Sequence, residues 1–212
     1  MRHSVLWIAF VVGCANVPSG DGSGGSRLFF DDFDVESWYV DEDFDRRYYY
    51  AGGRYWIEAN AGEYTAFAPY EGALAAPYGV STEVTVIVPS AGANGSAALE
   101  IERIDSDNRT TFYVDADGWY KVTQIRGGVS RDLRGWTESS RLFQAGTPNV
   151  IRINRYADRI EIFANGRGLR TLNTTALTGD LDVGLGSRTF IGMGTSSAAF
   201  ERFEIFDLSG WE

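Results

Sequence analysis

The sequence has one cysteine, Cys14, and one histidine, His3, and both lie within its first 14 residues. The rest of the chain therefore has no thiol and no imidazole. Ser-His-Asp and Cys-His catalysis are excluded there, as are zinc, iron and copper sites that use histidine ligands. Hydrolysis by paired carboxylates and calcium binding through oxygen ligands remain compatible with the residues that are present.

Long apolar runs are also missing, since none reaches the length of about 20 apolar residues that a bilayer-spanning helix needs. The N-terminal run Val5–Val12 follows a short start that carries Arg2, a layout that predicts a secretory signal over residues 1–13. Directly after it, the string VVGC resembles the lipobox of bacterial lipoproteins. That resemblance implies that Cys14 is lipidated and becomes the first residue of the mature chain. The alternative is an ordinary signal peptide with a cysteine at its boundary by chance.

Large apolar side chains are scarce in the segment that follows, Ala15–Ser26, which is dominated by Gly, Ser, Asp and Pro. Such a segment cannot bury enough surface to offset the entropy lost on ordering. We expect residues 14–26 to form the lipidated cysteine and a flexible tether, and residues 27–209 to form one folded domain. The predicted location is the cell envelope, outside the cytoplasm, with the lipid anchor in a membrane.

Positive charge is in deficit, because 19 Lys and Arg residues face 29 Asp and Glu residues and the net charge is −10. An acidic surface of this kind repels phosphate groups. Nucleic acid is therefore not an expected partner.

No stretch after Arg27 shows helical periodicity, whereas short β-rich runs recur between turn residues. The "DADG" string at Asp115–Gly118 and the "ANGRG" string at Ala164–Gly168 predict hairpin turns, because Asn-Gly and Asp-Gly pairs tolerate a positive φ. This pattern predicts an all-β sandwich. The predicted strands are Arg27–Phe33, Arg46–Tyr50, Arg54–Ala59, Tyr64–Ala68, Val80–Val88, Ala97–Ile104, Thr110–Asp115, Tyr120–Ile125, Val150–Arg155, Arg159–Ala164, Gly168–Leu172, Asp182–Leu185 and Ala199–Phe206.

An ordered series of motifs runs along residues 29–208: "FFDDFD", "GRYWIEA", "YTAFAP", "LEIERIDSDNRTTFYVDADGWYKVTQI" and "FERFEIFDL". It resembles the concanavalin A-like lectin/glucanase superfamily, and within it the laminin-G-like jelly-roll modules of bacterial lipoproteins and surface proteins. The most specific match is a hairpin in which Asn149 precedes one strand and Asn165-Gly166 form the turn. The resemblance implies an all-β, two-sheet antiparallel jelly-roll sandwich. Function stays open, since lectins, carbohydrate-binding modules, glycosidases and adhesive domains share this fold.

The same resemblance allows a test for glycosidase activity. Laminarinase-type glycosidases of this fold carry an E-x-D-x-x-E strand, and the nearest string here is "EIERID". Strand alternation would place Glu100 and Glu102 on one face and Asp105 on the other, so the three-carboxylate motif is missing. We interpret Glu100 and Glu102 as acidic side chains on a solvated sheet face.

A sugar site needs aromatic rings for stacking and polar groups for the hydroxyls. The segment from Arg103 to Trp136 offers both, and the concave sheet and its rim loops usually bind ligands in the resembled fold. The predicted ligand-binding residues are Trp119, Tyr120, Trp136, Arg103, Asp105 and Asp107.

The sequence gives only weak evidence for a metal-binding site. The "DSDN" string at Asp105–Asn108 and the aspartates 31, 32 and 34 offer oxygen ligands, but neither group has the spacing of a calcium-binding loop. Turn formation is the simpler interpretation of "DSDN". Calcium remains a possible cofactor because many members of the resembled superfamily carry it.

Together these features predict a membrane-anchored, non-catalytic binding module whose partner is a carbohydrate or another component of the cell envelope. One alternative is a glycoside hydrolase of the same fold. The other is a structural or adhesive envelope domain that binds no small ligand.

Overall fold

A computed structural model describes residues 25–87, 95–144, 146–189 and 194–210 of the chain. Within these ranges there are 15 strands and no helix. The predicted signal, Cys14 and residues 15–24 of the predicted tether lie outside the described residues. In the part of the chain that is described, no helix has the length and apolarity to span a membrane. The strands are β1 Ser26–Asp31, β2 Asp41–Glu42, β3 Arg46–Tyr50, β4 Tyr55–Ala59, β5 Gly62–Phe67, β6 Tyr78–Ile87, β7 Gly95–Asp105, β8 Asn108–Asp115, β9 Trp119–Arg126, β10 Val129–Glu138, β11 Asn149–Arg155, β12 Arg159–Ala164, β13 Arg167–Asn173, β14 Asp182–Thr189 and β15 Ser196–Asp207.

The strands form two antiparallel sheets. The larger sheet has nine strands in the order β13-β12-β11-β6-β15-β4-β3-β2, with β1 also paired to β15. The smaller sheet has six strands in the order β10-β9-β8-β7-β14-β5. This arrangement confirms the predicted all-β, two-sheet sandwich.

Alternating side chains build the core between the sheets. In β9, Tyr120, Val122 and Gln124 are buried, whereas the residues between them are less so. In β4 of the other sheet, Tyr55 and Ile57 are completely buried. Burial of such a large side chain stabilises the fold by about 1.5–3 kcal/mol, so the period-two pattern fixes which side of each strand faces inward.

Both predicted hairpin turns are present. Gly118, which closes the "DADG" turn between β8 and β9, has φ 85°, and Asn165 and Gly166 between β12 and β13 have φ 51° and 73°. The side chain of Asn165 also accepts a hydrogen bond from the Val150 amide at 2.9 Å and donates one to Asn149 Oδ1 at 3.0 Å. The two asparagines of the hairpin motif therefore join the turn to the start of β11.

The strand β10, Val129–Glu138, was not among the predicted strands. Its sequence VSRDLRGWTE has no regular alternation, and its pairing with β9 is interrupted by two register shifts. As the edge strand of the six-stranded sheet, it lies largely exposed, so burial imposes no period on its sequence. The consequence for function is that β10 brings Trp136 to this sheet.

The interpretation of Glu100 and Glu102 as acidic side chains on one solvated sheet face is wrong, because they are 1% and 0% exposed and lie on opposite faces. The register of β7 against β8 shifts between them, and the two side chains bond to the adjacent residues Thr111 and Thr110, which point to opposite sides. A β-bulge of this kind adds a residue and inverts the alternation beyond it. Glu102 therefore enters the core, where it forms a salt bridge with Arg155 of β11 at 2.9 Å.

Candidate functional site: the outer face of the six-stranded sheet

The side of the six-stranded sheet that faces away from the nine-stranded sheet is called the outer face here. Its side chains occupy strand positions that alternate with core residues, as Thr111 and Tyr113 do with Phe112. Residues from all six strands lie on it, most of them polar or aromatic and two of them glycines. They are Glu63, Thr65 and Phe67 of β5, Gly184, Gly186 and Arg188 of β14, Glu100 and Arg103 of β7, Arg109, Thr111 and Tyr113 of β8, Lys121 and Thr123 of β9, and Asp132 and Trp136 of β10.

One row of residues crosses the outer face from strand to strand. Gly184 of β14 is paired with Glu100, which is paired with Thr111 on its other side. Thr111 is in turn paired with Thr123, and Thr123 with Asp132. Residues that lie directly opposite in neighbouring strands place their side chains on the same face. The pairing therefore assembles a polar strip across five strands.

Glu100, the second residue of this strip, is only 1% exposed. Its carboxyl oxygens accept long hydrogen bonds from the hydroxyls of Thr65, at 3.3 Å, and Thr111, at 3.4 Å. Burial raises the pKa of Glu100 to about 7, with the nearby guanidinium of Arg109 opposing the shift and the Glu63 carboxylate adding to it. At neutral pH the group is therefore divided between its acid and its carboxylate form.

This raised pKa predicts a pH dependence of stability. Between the ordinary pKa of 4.5 and about 7, the folded protein keeps a proton on Glu100 that the unfolded chain has lost. The free energy of unfolding therefore falls as the pH rises through this window. Glu100→Gln removes that loss, so the variant should gain stability relative to the parent between about pH 5 and about pH 8. Thermal unfolding of both proteins across the range measures the gain, and a difference in Tm that stays constant with pH would contradict the buried, titrating Glu100.

Glu63 supplies a second carboxylate at the β5 edge of the outer face. Its Oε2 accepts a hydrogen bond from the Tyr113 hydroxyl at 2.8 Å, and Arg109 Nη2 lies 3.9 Å from its Oε1. Oε1 is buried and accepts no hydrogen bond from the described residues. A buried acceptor without a donor costs free energy, so the Glu63 carboxylate is only partly satisfied at this edge of the sheet.

The middle of β14 presents backbone instead of side chains. A Cβ atom at Gly184 would lie 2.4 Å from the carbonyl oxygen of Ala66, and one at Gly186 would lie 2.7 Å from that of Tyr64. Both distances are shorter than van der Waals contact, and the obstructing atoms belong to the neighbouring strand. The two glycines therefore allow β5 to lie close to β14, and Glu100 of β7 reaches Thr65 of β5 across them.

Aromatic rings also lie on the outer face. The ring of Trp136, which is partly exposed, has its centroid 6.5 Å from that of Tyr113. The guanidinium of Arg188 lies 5.2 Å from the Tyr113 ring, and that of Arg103 lies 4.4 Å from the ring of Phe67. The ring of Tyr113 is only 3% exposed, so Trp136 is the ring that can stack on the C–H face of a sugar, and the guanidinium groups can donate to hydroxyls.

The structure separates the six residues predicted to bind ligand. Arg103 and Trp136 lie on the outer face, and Trp119, 39% exposed, starts β9 at one end of the sheet. Asp105 and Asp107 lie in or beside the β7–β8 turn. The side chain of Asn108, which follows them, accepts a hydrogen bond from the Gly127 amide, so this turn lies at the other end of β9. Because β9 has eight residues, these two ends are roughly 23 Å apart.

Tyr120 needs a correction, because its ring belongs to the core. It is 3% exposed and stacks on Phe112 with ring centroids 6.0 Å apart. Trp119 and Lys121 are its neighbours in β9, and strand alternation turns Tyr120 away from the side that they occupy. A ring between the two sheets cannot stack on a sugar.

The "DSDN" string forms a turn, as interpreted from the sequence. Asp105 Oδ1 accepts hydrogen bonds from the Asp107 amide at 2.8 Å and from Asn108 Nδ2 at 3.0 Å. Asp31 likewise uses its Oδ1 to accept from the Phe33 amide at 2.7 Å. Among the residues that the structure describes, no group of three or more His, Cys, Asp or Glu side chains is placed to hold a metal ion.

Most of the outer face was not identified from the sequence. Glu63, Thr65, Arg109, Tyr113 and Arg188 were all missed. Alternation in "EYTAF" and "RTTFY" is a signal that could have placed the first four on the outward side of their strands. The order of the strands in the sheet, which brings β5 and β14 next to β7, is not contained in any local pattern.

No family model and no curated protein sequence matches this chain. Solved structures do match it. They include the carbohydrate-binding module CBM66 from Bacillus subtilis, with 14% identity and a TM-score of 0.54 over 71% of this chain and 86% of that one. The fold is a jelly-roll sandwich.

Two further structures match over more of the chain. The carbohydrate recognition domain of Emp47p has 11% identity and a TM-score of 0.65, with coverage of 88% of this chain and 98% of that one. The catalytic domain of an endo-1,3-beta-glucanase (laminarinase) from Thermotoga petrophila RKU-1 has 8% identity and a TM-score of 0.60, with coverage of 86% and 98%. At these identities the similarity concerns the fold, which both binding proteins and enzymes use.

Proposed function

We propose that this protein is a non-catalytic carbohydrate-binding module and that the outer face of the six-stranded sheet is its binding surface. The observation that carries the proposal is the partly exposed ring of Trp136 on this face. It lies beside Tyr113, whose hydroxyl is held by Glu63, and the exposed carboxylate of Asp132 lies on the same strand. A sugar can stack on the indole and donate a hydroxyl hydrogen to Asp132.

The similar structures support a carbohydrate ligand, because two of them are a carbohydrate-binding module and a carbohydrate recognition domain by name. The outer face also has the composition that such a ligand needs. It combines the cations Arg103, Arg109, Arg188 and Lys121 with three carboxylates and several hydroxyls in an otherwise acidic protein. A binding surface on one face of a sheet leaves much of a glycan solvated, so we expect modest affinity.

The binding role is favoured over glycoside hydrolysis by the positions of the carboxylates. Glycosidases use two carboxyl groups on either side of one bond, about 5–5.5 Å apart in retaining enzymes and further apart in inverting ones. Glu100 has the raised pKa of a general acid, but Glu102 lies on the opposite face in a salt bridge with Arg155. Of the other two carboxylates on this face, Glu63 is held by the Tyr113 hydroxyl and Asp132 by Lys121 Nζ at 2.9 Å.

A screen of the purified protein against an array of neutral and acidic glycans, with and without calcium, tests the proposed function. We expect retention of a limited set of glycans. The bound glycans should then stay intact on prolonged incubation, and shortened products would establish the hydrolase alternative. Absence of binding to any glycan would favour an adhesive domain without a small ligand.

We also propose that the module is laminin-G-like and is held at the cell envelope, outside the cytoplasm, by a lipid on Cys14. Support comes from the VVGC string behind an apolar run and from the segment of small and polar residues that follows. The two or three acyl chains of a lipoprotein would bind a membrane firmly, whereas one chain binds it only marginally.

Cys14→Ser should move the protein from the detergent phase to the aqueous phase in a phase-partitioning assay. The serine cannot receive the thioether-linked lipid, and the separation in sequence from β1 leaves the folded domain unaffected. Circular dichroism of both proteins serves as the control for folding. Unchanged partitioning would disprove the anchor.

A further inference from the structure

A second site lies at the edge of the sandwich, where the β9–β10 hairpin of one sheet approaches the segment that follows β13 of the other. A cleft of about 410 Å³ opens there. We call it the edge cleft, and its lining residues are Gln124, Arg126, Val129, Arg131, Thr174 and Thr175. The volume is within the range of pockets that hold small ligands, about 300–1,000 Å³.

The edge cleft is basic although the protein is acidic. Two of its lining residues are arginines and none is a carboxylate, in a chain with a net charge of −10. Arg131 is exposed and has no ion-pair or hydrogen-bond partner among the described residues. Arg126 donates through Nη2 to the carbonyl oxygen of Thr175, which fixes its guanidinium at the entrance. Uncompensated guanidinium groups in a concave wall concentrate anions.

Strand pairing directs the two arginines into the same space. Arg131 lies opposite Gln124 and Val129 lies opposite Arg126, so these four side chains project from one side of the hairpin. Gln124 is 3% exposed and marks that side as the inner one. The edge cleft is therefore separate from the outer face, which lies on the other side of the same strands.

The floor of the edge cleft is a fixed polar network. Gln124 Nε2 donates to Thr110 Oγ1 at 3.1 Å, and Gln124 Oε1 accepts from Thr174 Oγ1 at 3.3 Å. Thr110 donates in turn to Glu102, the partner of Arg155. The amide nitrogen of a glutamine carries two hydrogens, so one donor on Gln124 is left for a ligand.

The tip of the hairpin is held in place by the β7–β8 turn. The Gly127 amide donates to Asn108 Oδ1 at 3.1 Å, and the Gly128 amide donates to the Asp107 carbonyl oxygen at 3.1 Å. Both glycines have positive φ, 55° and 77°, which allows the tight turn that these bonds require. The "DSDN" segment thus supports the hairpin that carries the two arginines of the edge cleft.

From this arrangement we propose that the edge cleft binds the carboxylate-bearing end of an acidic sugar, a uronic acid residue. The planar guanidinium groups of Arg126 and Arg131 match a carboxylate, and the Gln124 amide and Thr174 hydroxyl reach the neighbouring sugar oxygens. Val129, which is 72% exposed, covers an apolar edge of the sugar ring. This site is independent of the outer face, and it would bind the charged end of a glycan whether or not the outer face binds neutral sugars.

Calorimetric titration of the full-length protein tests the proposal. The probes are trigalacturonate, the uncharged trisaccharide made by reducing its carboxyl groups to alcohols, and inorganic phosphate. Arg131→Ala should weaken trigalacturonate binding by about tenfold, because a hydrogen bond to a charged group is lost at a partly exposed site. The matched control is Arg167→Ala, which removes an exposed arginine of β13 outside the edge cleft and should leave the affinity unchanged. Binding of trigalacturonate should also weaken as salt concentration rises.

Three results would overturn the assignment. They are equal affinity of the reduced, uncharged trisaccharide, equal affinity of phosphate, and equal effects of Arg131→Ala and Arg167→Ala. Trp136→Ala distinguishes this site from the outer face. It should leave trigalacturonate binding in the edge cleft intact, whereas Arg131→Ala should leave the binding of neutral glycans intact.

Discussion

Replacing Arg155 by leucine should destabilise the protein by about 3–5 kcal/mol, because it leaves the buried carboxylate of Glu102 without its counter-charge. Both side chains are inaccessible to solvent, and Arg155 Nε and Nη2 lie 2.9 and 3.2 Å from the two Glu102 oxygens. Arg155 Nη1 also donates to three carbonyl oxygens, those of Tyr156, Arg159 and Thr174. The substitution therefore removes partners from several buried groups at once.

The ion pair joins β7 of one sheet to β11 of the other, and it also fixes the segment after β13. The Leu177 amide donates to Glu102 Oε2 at 3.0 Å, so the same carboxylate holds this segment against the core. The control is Arg47→Leu, which breaks an exposed pair with Glu42 at 3.5 Å and should cost about 1 kcal/mol or less. Urea unfolding of both variants measures the two changes, and similar midpoints would show that the buried pair does not stabilise the sandwich.

Alternation and turn residues predicted much of the fold. Runs such as Val150–Arg155 and Arg159–Ala164 correspond to strands because one face of each is buried and burial imposes a period of two. The hairpin turn at Asn165-Gly166 was predictable because few residues tolerate a positive φ. Both signals are local, and the sandwich has few alternatives once most of its strands are identified.

The departures from the prediction arise where a local pattern is broken by pairing between strands. The bulge between Glu100 and Glu102 inverts the faces of β7, and nothing in "EIERID" indicates it. The edge position of β10 removes the burial that would have marked it as a strand. Tyr120 could have been assigned to either side of β9, since an aromatic ring suits the core as well as a binding surface.

The outer face depends on the order of strands. Thr65 of β5 and Glu100 of β7 form a hydrogen bond across β14, although β14 follows β7 by about eighty residues in the chain. Long-range contacts of this type place Glu63 near Tyr113 as well. The segment from Arg103 to Trp136 therefore indicates only the part of the surface that its own strands contribute.

Trp136→Ala should weaken glycan binding by about 1–3 kcal/mol, because it removes the ring on which a sugar stacks beside Tyr113. It should change the stability little, since Trp136 lies partly exposed on an edge strand. Tyr120→Ala, one strand away and in the core, should instead cost about 3–5 kcal/mol of stability. The two variants separate loss of the binding surface from loss of the fold.

Calorimetric titration of the parent protein, Trp136→Ala and Trp56→Ala with the best glycan from the array tests whether the outer face binds carbohydrate. Trp56 stacks on Tyr49 in β3 and β4 of the other sheet, so it is a tryptophan of similar exposure at a position distant from the outer face. We expect about a five- to hundredfold loss of affinity for Trp136→Ala and no change for Trp56→Ala, with folded protein in each case. A loss for Trp56→Ala with unchanged affinity for Trp136→Ala would contradict this expectation and assign carbohydrate binding to the nine-stranded sheet.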